Sequence, residues 1–179
     1  MRVGLDIDGV LADQHKPLAQ RIKARGLPKR TWYDYAVEKV YPELPDGFCH
    51  NLYNDSSFVA KMPVVKGARE GARLLSDLGE IYYVSARPAH LLDVTIEWLC
   101  EHDFPVGDVW LSEDKAEAVQ MFGLELFVED APHHALALAQ VCPVYLLDYP
   151  WNRDCHHSNI WRVRDWGELY RRLEESALL

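Results

Sequence analysis

The feature that most constrains the fold is an alternation of strand-like and helix-like stretches from about Lys66 onward. Short apolar runs are typical of buried strands, and the longer amphipathic stretches between them are typical of helices. The strand-like runs are EIYYVSA, DVWLS, ELFVED and VCPVYLLD. Together with a first strand at residues 2–8, this pattern predicts a Rossmann-like, doubly wound α/β fold. We expect a mostly parallel sheet of about five strands, with helices on both faces.

A long stretch without a convincing strand separates the first strand from this alternating series. Its helix-like segments are broken at Pro28, Pro42, Pro45 and Pro63. A structureless connection of that length is uncommon in a compact domain. We therefore predict a small helical cap at residues 14–65, inserted into a core formed by residues 1–13 and 66–179. Because the cap leaves the sheet directly after the first strand, it is expected to overhang that strand's end.

The charge of the chain argues against some classes of partner. The 179 residues carry a formal net charge of -9, whereas binding to a nucleic-acid polymer needs a concentrated basic surface. A small anionic substrate would need local cations or a metal ion. The N-terminal stretch MRVGLDIDGV lacks the apolar length of a signal peptide or a spanning helix, so we expect a cytoplasmic protein without a membrane partner.

Two carboxylates lie at the end of the first strand, in the stretch VGLDIDGVLAD. The two-residue period of a strand places Val3, Leu5 and Ile7 on one face, and Asp6 and Asp8 on the other. By itself this pattern allows a solvated strand end, a metal site or a nucleophile.

Other predicted strands also end in chemically capable side chains. Ser85 and Arg87 follow the second strand, Lys115 follows the third, and Glu129 and Asp130 end the fourth. Each taken singly has a structural explanation as a helix cap or a surface charge. In an open parallel sheet, however, ligands bind beyond the C-terminal ends of the strands, where these groups converge. Carboxylates brought together there repel one another unless a cation lies among them, and Mg²⁺ is the natural candidate.

In their order along the chain, these motifs resemble those of a known superfamily. DIDGV, Ser85 in VSARP, Lys115 in EDKAEAV and Glu129–Asp130 in FVEDAP are similar to the four motifs of the haloacid dehalogenase (HAD) phosphatases. The helical insertion matches that superfamily's cap position. Within the superfamily, DIDGVLAD, the small cap and DYPWNR at residues 148–153 resemble the 5'(3')-deoxyribonucleotidase family. The resemblance implies a Mg²⁺-dependent phosphoric monoester hydrolase that forms an aspartyl-phosphate and acts on nucleoside monophosphates.

The resemblance also implies a role for each site residue. Asp6 would be the nucleophile, and Asp8 would protonate the leaving oxygen and later deprotonate the hydrolytic water. Ser85 and Lys115 would contact the phosphoryl group. Arg87, between a strand end and a helix start, is the expected further substrate contact. The implied metal ligands are Asp6, the backbone carbonyl of Asp8, Asp130 and, through water, Glu129.

The sequence leaves other functions open. A HAD phosphatase for another phosphomonoester, such as a sugar phosphate or a polynucleotide end, would carry the same motifs. The cap would decide between them, but each of its aromatic residues is more simply explained by the cap's own core than by stacking on a base. A phosphoacceptor signalling domain gathers similar groups at a sheet edge, but it has no helical insertion after the first strand. Whether the chain forms a homodimer is also left open.

Overall fold

A computed structural model describes residues 1–177 of the chain. The strands are β1 (Arg2–Leu5), β2 (Glu80–Ser85), β3 (Asp108–Leu111), β4 (Leu126–Glu129), β5 (Val144–Leu147) and β6 (Ile160–Val163). The helices are α1 (His15–Ala24), α2 (Val37–Val40), α3 (Phe48–Tyr53), α4 (Ser56–Val59), α5 (Ala68–Leu78), α6 (Leu92–Glu101), α7 (Lys115–Phe122), α8 (Pro132–Leu138) and α9 (Trp166–Ala177). The strands form one sheet in the order β3-β2-β1-β4-β5-β6, and every neighbouring pair is parallel.

Helices cover both faces of the sheet, as the alternating sequence pattern predicts. One face of β1, with Val3 and Leu5, packs in a core shared with α5, α6 and α9. On the other face, Phe127 and Leu146 pack against α7 and α8. The doubly wound α/β class is thus confirmed. Within residues 1–177, no helix is long and apolar enough to cross a membrane.

The predicted strand number is one too low, because the sequence pattern does not indicate a strand at β6. This strand lies at the edge of the sheet and pairs only with β5. Its middle residues are Trp161, which is 40% exposed, and the half-buried Arg162. An edge strand buries little of its surface, so it lacks the apolar run by which the central strands were found.

Residues 14–65, which we name the inserted segment, contain helices α1 to α4 and no sheet strand. An isolated bridge between Ala12 and Val64 closes its base. Inside it, Asp55 follows α3 and caps α4 by accepting a hydrogen bond from the Ser57 N–H, so the stretch between Pro45 and Pro63 contains two short helices. Leu18 and Ile22 of α1 belong to the same apolar core as β1. The division of the chain into a core domain and a cap stays a prediction.

The order of the strands places the end of β1 at the centre of the molecule. β1 has β2 and β3 on one side. The chain then crosses to the other side of β1, where β4, β5 and β6 follow. Asp6 continues the pairing with β4 by donating its N–H to the Val128 carbonyl at 3.0 Å. A doubly wound sheet has its crevice where the direction of winding reverses. The residues that follow β1 and β4 therefore meet there.

Candidate active site

Lys115 is the buried centre of the charged groups that follow β1 and β4. It is the first residue of α7, whose N-cap Asp114 accepts a hydrogen bond from the Glu117 N–H. The Lys115 Nζ lies 2.8 Å from the Asp6 Oδ1 and 2.8 Å from the Glu129 Oε2. Burial alone lowers the pKa of Lys115, but the two carboxylates outweigh burial and raise it. Lys115 is therefore a permanent cation between two acids.

Glu129 is fully satisfied by groups of the protein. One carboxylate oxygen accepts from the Lys115 Nζ, and the other accepts from the backbone N–H of Asp130 and of Ala131. Burial raises the pKa of Glu129, but Lys115 and these hydrogen bonds lower it below its ordinary value. Glu129 is thus an ionised side chain that holds Lys115 in place.

Asp130, the next residue, has the opposite environment. It is completely buried, and neither carboxylate oxygen has a hydrogen-bond partner among residues 1–177. Burial, followed by the charges of Glu129 and Asp6, raises the pKa of Asp130 well above its ordinary value. The pKa of Asp6 is raised by burial and by Glu129 as well. Asp6 shares the charge of Lys115 with Glu129, whereas Asp130 has no compensating charge within the described residues.

These acids fit a hard cation. Asp6, Glu129 and Asp130 each offer a carboxylate oxygen within 4.8 Å of the others. Carboxylate oxygens are the ligands that Mg²⁺ and Ca²⁺ prefer. Gly9 leaves room for the cluster, since its φ is +86° and a Cβ there would overlap the Asp130 carboxylate. The unpartnered oxygens of Asp130 are the feature that a bound cation would explain.

Arg87 binds Asp8, a contact that the sequence did not predict. Its Nε and Nη2 donate to the two carboxylate oxygens of Asp8 at 2.8 and 2.7 Å. Its Nη1 donates to the Thr95 Oγ1 of α6 at 3.0 Å, and its side chain is 3% exposed. A two-point arginine–carboxylate pair fixes the orientation of both groups. The expected contact between Arg87 and substrate stays a prediction, in which a substrate would have to share these donors.

A cavity of about 470 Å³ opens at this edge of the sheet. Ser85 is 1% exposed, lies on the cavity wall at the end of β2, and accepts a hydrogen bond from the Arg87 N–H at 3.3 Å. Glu129 and Asp130 lie outside the lining, behind Lys115 and Asp6. Residues from β-strand ends and from the inserted segment form the wall, among them Asp6, Asp8, Ser85, Arg87, Lys115, Tyr35, Val37 and Tyr53. The volume is within the range of small-molecule sites.

His15 is a cavity residue that sequence reasoning missed. Its ring packs against Trp32 and Trp151, with centroid separations of 5.1 and 4.0 Å. Burial lowers the pKa of His15 to about 3, so the ring is neutral at physiological pH. It begins α1 outside any motif, and its aromatic neighbours are distant in sequence. No local signal therefore marked it.

The unpartnered carboxylate gives a first prediction. Asp130→Asn should raise the midpoint of thermal unfolding in EDTA, because it removes one of the mutually repelling buried acids. A gain of about 1 kcal/mol corresponds to about 2–4 °C for a chain of this size. Differential scanning calorimetry measures it.

The matched control is Asp148→Asn. Asp148 is a partly exposed carboxylate that already pairs with the Arg162 Nη1 at 2.9 Å, so its neutralisation should not stabilise the protein. An Asp130→Asn midpoint at or below that of the wild type would show that Asp130 is not under electrostatic strain.

Known proteins resemble this chain over most of its length. The model of the family described as "5' nucleotidase, deoxy (Pyrimidine), cytosolic type C protein" matches residues 1–176. A candidate nucleotidase of Bacillus subtilis is 28% identical, over 94% of this chain and 91% of its own. Another, from Oceanobacillus iheyensis, is 32% identical, over 94% and 97%.

Solved structures share the fold. A HAD family hydrolase from Deinococcus radiodurans, solved with bound phosphate and sodium, superposes with a TM-score of 0.64 and 17% identity, over 99% of this chain and 96% of its own. The family match, the similar nucleotidases and the shared fold together confirm the resemblance to HAD nucleotidases, and a signalling domain is not supported. The chain belongs to this deoxy 5'-nucleotidase family of the HAD superfamily, and it is a phosphomonoester hydrolase.

Proposed function

We propose that this chain is a Mg²⁺-dependent phosphatase of deoxyribonucleoside monophosphates that forms an aspartyl-phosphate on Asp6. The observation that carries the proposal is the position of Asp6. Asp6 is 4% exposed, its carboxylate is held by Lys115, and it lies on the wall of a cavity that the inserted segment also lines. A nucleophile requires this combination of fixed orientation and access to substrate.

In the first half-reaction, a carboxylate oxygen of Asp6 attacks phosphorus. The bond between phosphorus and the ester oxygen breaks, and Asp8 donates a proton to the departing alcohol. In the second half-reaction, Asp8 takes a proton from a water molecule that attacks the same phosphorus. The bond to Asp6 then breaks, which releases inorganic phosphate and restores the carboxylate of Asp6 and the protonated form of Asp8. Asp8 lies on the wall of the same cavity as Asp6, where Arg87 orients it.

The other groups neutralise and orient the phosphoryl oxygens. Ser85 offers a hydroxyl at the end of β2, and Lys115 offers a buried positive charge beside the nucleophile. Electrostatic stabilisation and alignment are the main requirements of phosphoryl transfer. Arg87 is the proposed further contact to substrate, through donors that also serve Asp8.

The proposed metal ligands are Asp6, the backbone carbonyl of Asp8 and Asp130, with Glu129 acting through water. When bound, Mg²⁺ would supply positive charge to the transferred phosphoryl group. The unpartnered Asp130 oxygens support direct binding by Asp130, whereas the full set of hydrogen bonds on Glu129 supports a more distant role.

The substrate class rests on the family and on the cavity. The matching family's description names deoxy and pyrimidine nucleotides and a cytosolic protein, which supports a nucleoside monophosphate substrate and a cytoplasmic location. Tyr35 and Tyr53 of the inserted segment line the cavity that contains Asp6. Aromatic rings that line such a cavity can stack on a nucleobase.

The proposal predicts that the purified protein with Mg²⁺ releases phosphate from deoxyribonucleoside monophosphates faster than from ribonucleotides, sugar phosphates or p-nitrophenyl phosphate. Asp6→Asn should reduce kcat by about 10³-fold or more, because the amide is not a nucleophile. Phosphate release over a panel of 5'- and 3'-monophosphates measures both effects.

Asp93→Asn, on the exposed first turn of α6, is the control for neutralising a carboxylate and should retain wild-type rates. Equal rates for wild type and Asp6→Asn would disprove the nucleophile. A rate on p-nitrophenyl phosphate as high as on every nucleotide would disprove the substrate class.

The role of Asp8 predicts a dependence on the leaving group. Asp8→Asn should slow hydrolysis of a nucleoside monophosphate by about 10²–10⁴-fold, because its alkoxide leaving group needs a proton. The loss on p-nitrophenyl phosphate should be at least tenfold smaller, since nitrophenolate leaves without protonation. Steady-state kinetics with both substrates measure the ratio, and equal losses would show that Asp8 is not the acid.

A further inference from the structure

The side-chain amide of Asn152, within the stretch DYPWNR, uses its whole hydrogen-bonding capacity. Its Nδ2 donates to the Asp130 carbonyl at 2.8 Å and to the Leu147 carbonyl at 2.7 Å. Its Oδ1 accepts from the Tyr149 N–H at 3.2 Å and from the Arg162 Nη1 at 2.6 Å. The two carbonyl partners can only accept, and the Tyr149 N–H and the Arg162 guanidinium can only donate. These partners therefore fix the amide so that its Nδ2 faces Asp130. Asn152 is 1% exposed, so water does not compete for these bonds.

Arg162 of the edge strand β6 holds this amide in place. Besides the Asn152 Oδ1, it donates to the backbone carbonyls of Asn152 and Cys155 at 2.7 and 3.2 Å. It also pairs with Asp148 at 2.9 Å. A planar guanidinium that bonds several groups of one loop restricts that loop strongly. Asn152 is therefore a fixed point to which the Asp130 backbone is attached.

The same loop also touches the turn after β1. The Tyr149 Oη donates to the Gly9 carbonyl at 3.0 Å. Gly9 is the residue whose missing Cβ leaves space for the Asp130 carboxylate. Residues 149 and 152 thus bond to the two backbone segments that carry Asp6 and Asp130. The Asp130 carboxylate itself has no hydrogen bond within the described chain that would fix its place.

We propose that Asn152 is a positioning residue for metal binding. By holding the Asp130 carbonyl, it sets where the Asp130 carboxylate meets Asp6, and it does so without touching the metal or the substrate. This inference rests on the proposed function, because it takes Asp130 as a direct ligand. Groups that orient metal ligands from behind commonly change metal affinity by about 10–100-fold when they are removed.

The test is the affinity of the substrate-free protein for Mn²⁺, used as the probe for the Mg²⁺ site and measured by the electron paramagnetic resonance of free Mn²⁺. Asn152→Asp keeps the shape of the side chain but replaces both donated hydrogen bonds with repulsion. It should weaken Mn²⁺ binding by about tenfold or more. Arg162→Lys keeps the positive charge but loses the planar guanidinium that holds Asn152, so it should weaken Mn²⁺ binding by a smaller factor. This variant provides the test if Asn152→Asp does not fold.

Asn159→Asp is the matched control. The Asn159 Nδ2 donates to the Ala139 carbonyl at 2.9 Å, so the substitution removes the same kind of bond and adds the same charge away from the site. It should shift the unfolding midpoint without changing Mn²⁺ affinity. If Asn152→Asp folds and binds Mn²⁺ with wild-type affinity, the inference is wrong but the proposed function is unaffected. The same holds for wild-type affinity in Arg162→Lys if Asn152→Asp does not fold. Absence of Mn²⁺ binding by the wild type would overturn the inference together with the proposed metal dependence.

Discussion

The balance of buried charge around Lys115 is the constraint on which the site depends. Burying an ion costs several kcal/mol unless a partner of opposite charge accompanies it. Lys115 contacts Asp6 and Glu129, and Glu129 also has two backbone N–H donors. Asp130 has no such partner in the described chain. The protein thus compensates part of the buried charge and leaves a deficit where a divalent cation would be most effective.

The fold supplies what this arrangement needs. Because β1 and β4 are neighbours, Asp6 and Asp130 follow adjacent strands and meet at the reversal of winding. Gly9 allows the close approach of the two segments, and Asn152 ties the Asp130 backbone to the loop after β5. The inserted segment also lines the cavity, so the proposed chemistry and the proposed substrate contacts come from different parts of one chain.

Much of this could be predicted from sequence because parallel strands bring their C-terminal ends together. Apolar runs located the central strands, and the side chains that follow them identified Asp6, Ser85 and Lys115. The edge strand β6 was not predicted because it buries little apolar surface. The different environments of Glu129 and Asp130 could not be predicted, because the sequence does not show which of two adjacent acids receives hydrogen bonds. The roles of Thr95 and Asn152 could not be predicted for a related reason. Tertiary packing determines that they bond to Arg87 and to Asp130.

The central claim is that phosphate is transferred first to Asp6 and only then to water. Its most direct test is acid quenching of the enzyme during turnover of a phosphate-labelled deoxyribonucleoside monophosphate, followed by peptide mapping. The account predicts acid-stable label on the peptide that contains Asp6, removable by hydroxylamine as an acyl phosphate is, and no label in Asp6→Asn. Label on a peptide without Asp6 would contradict it.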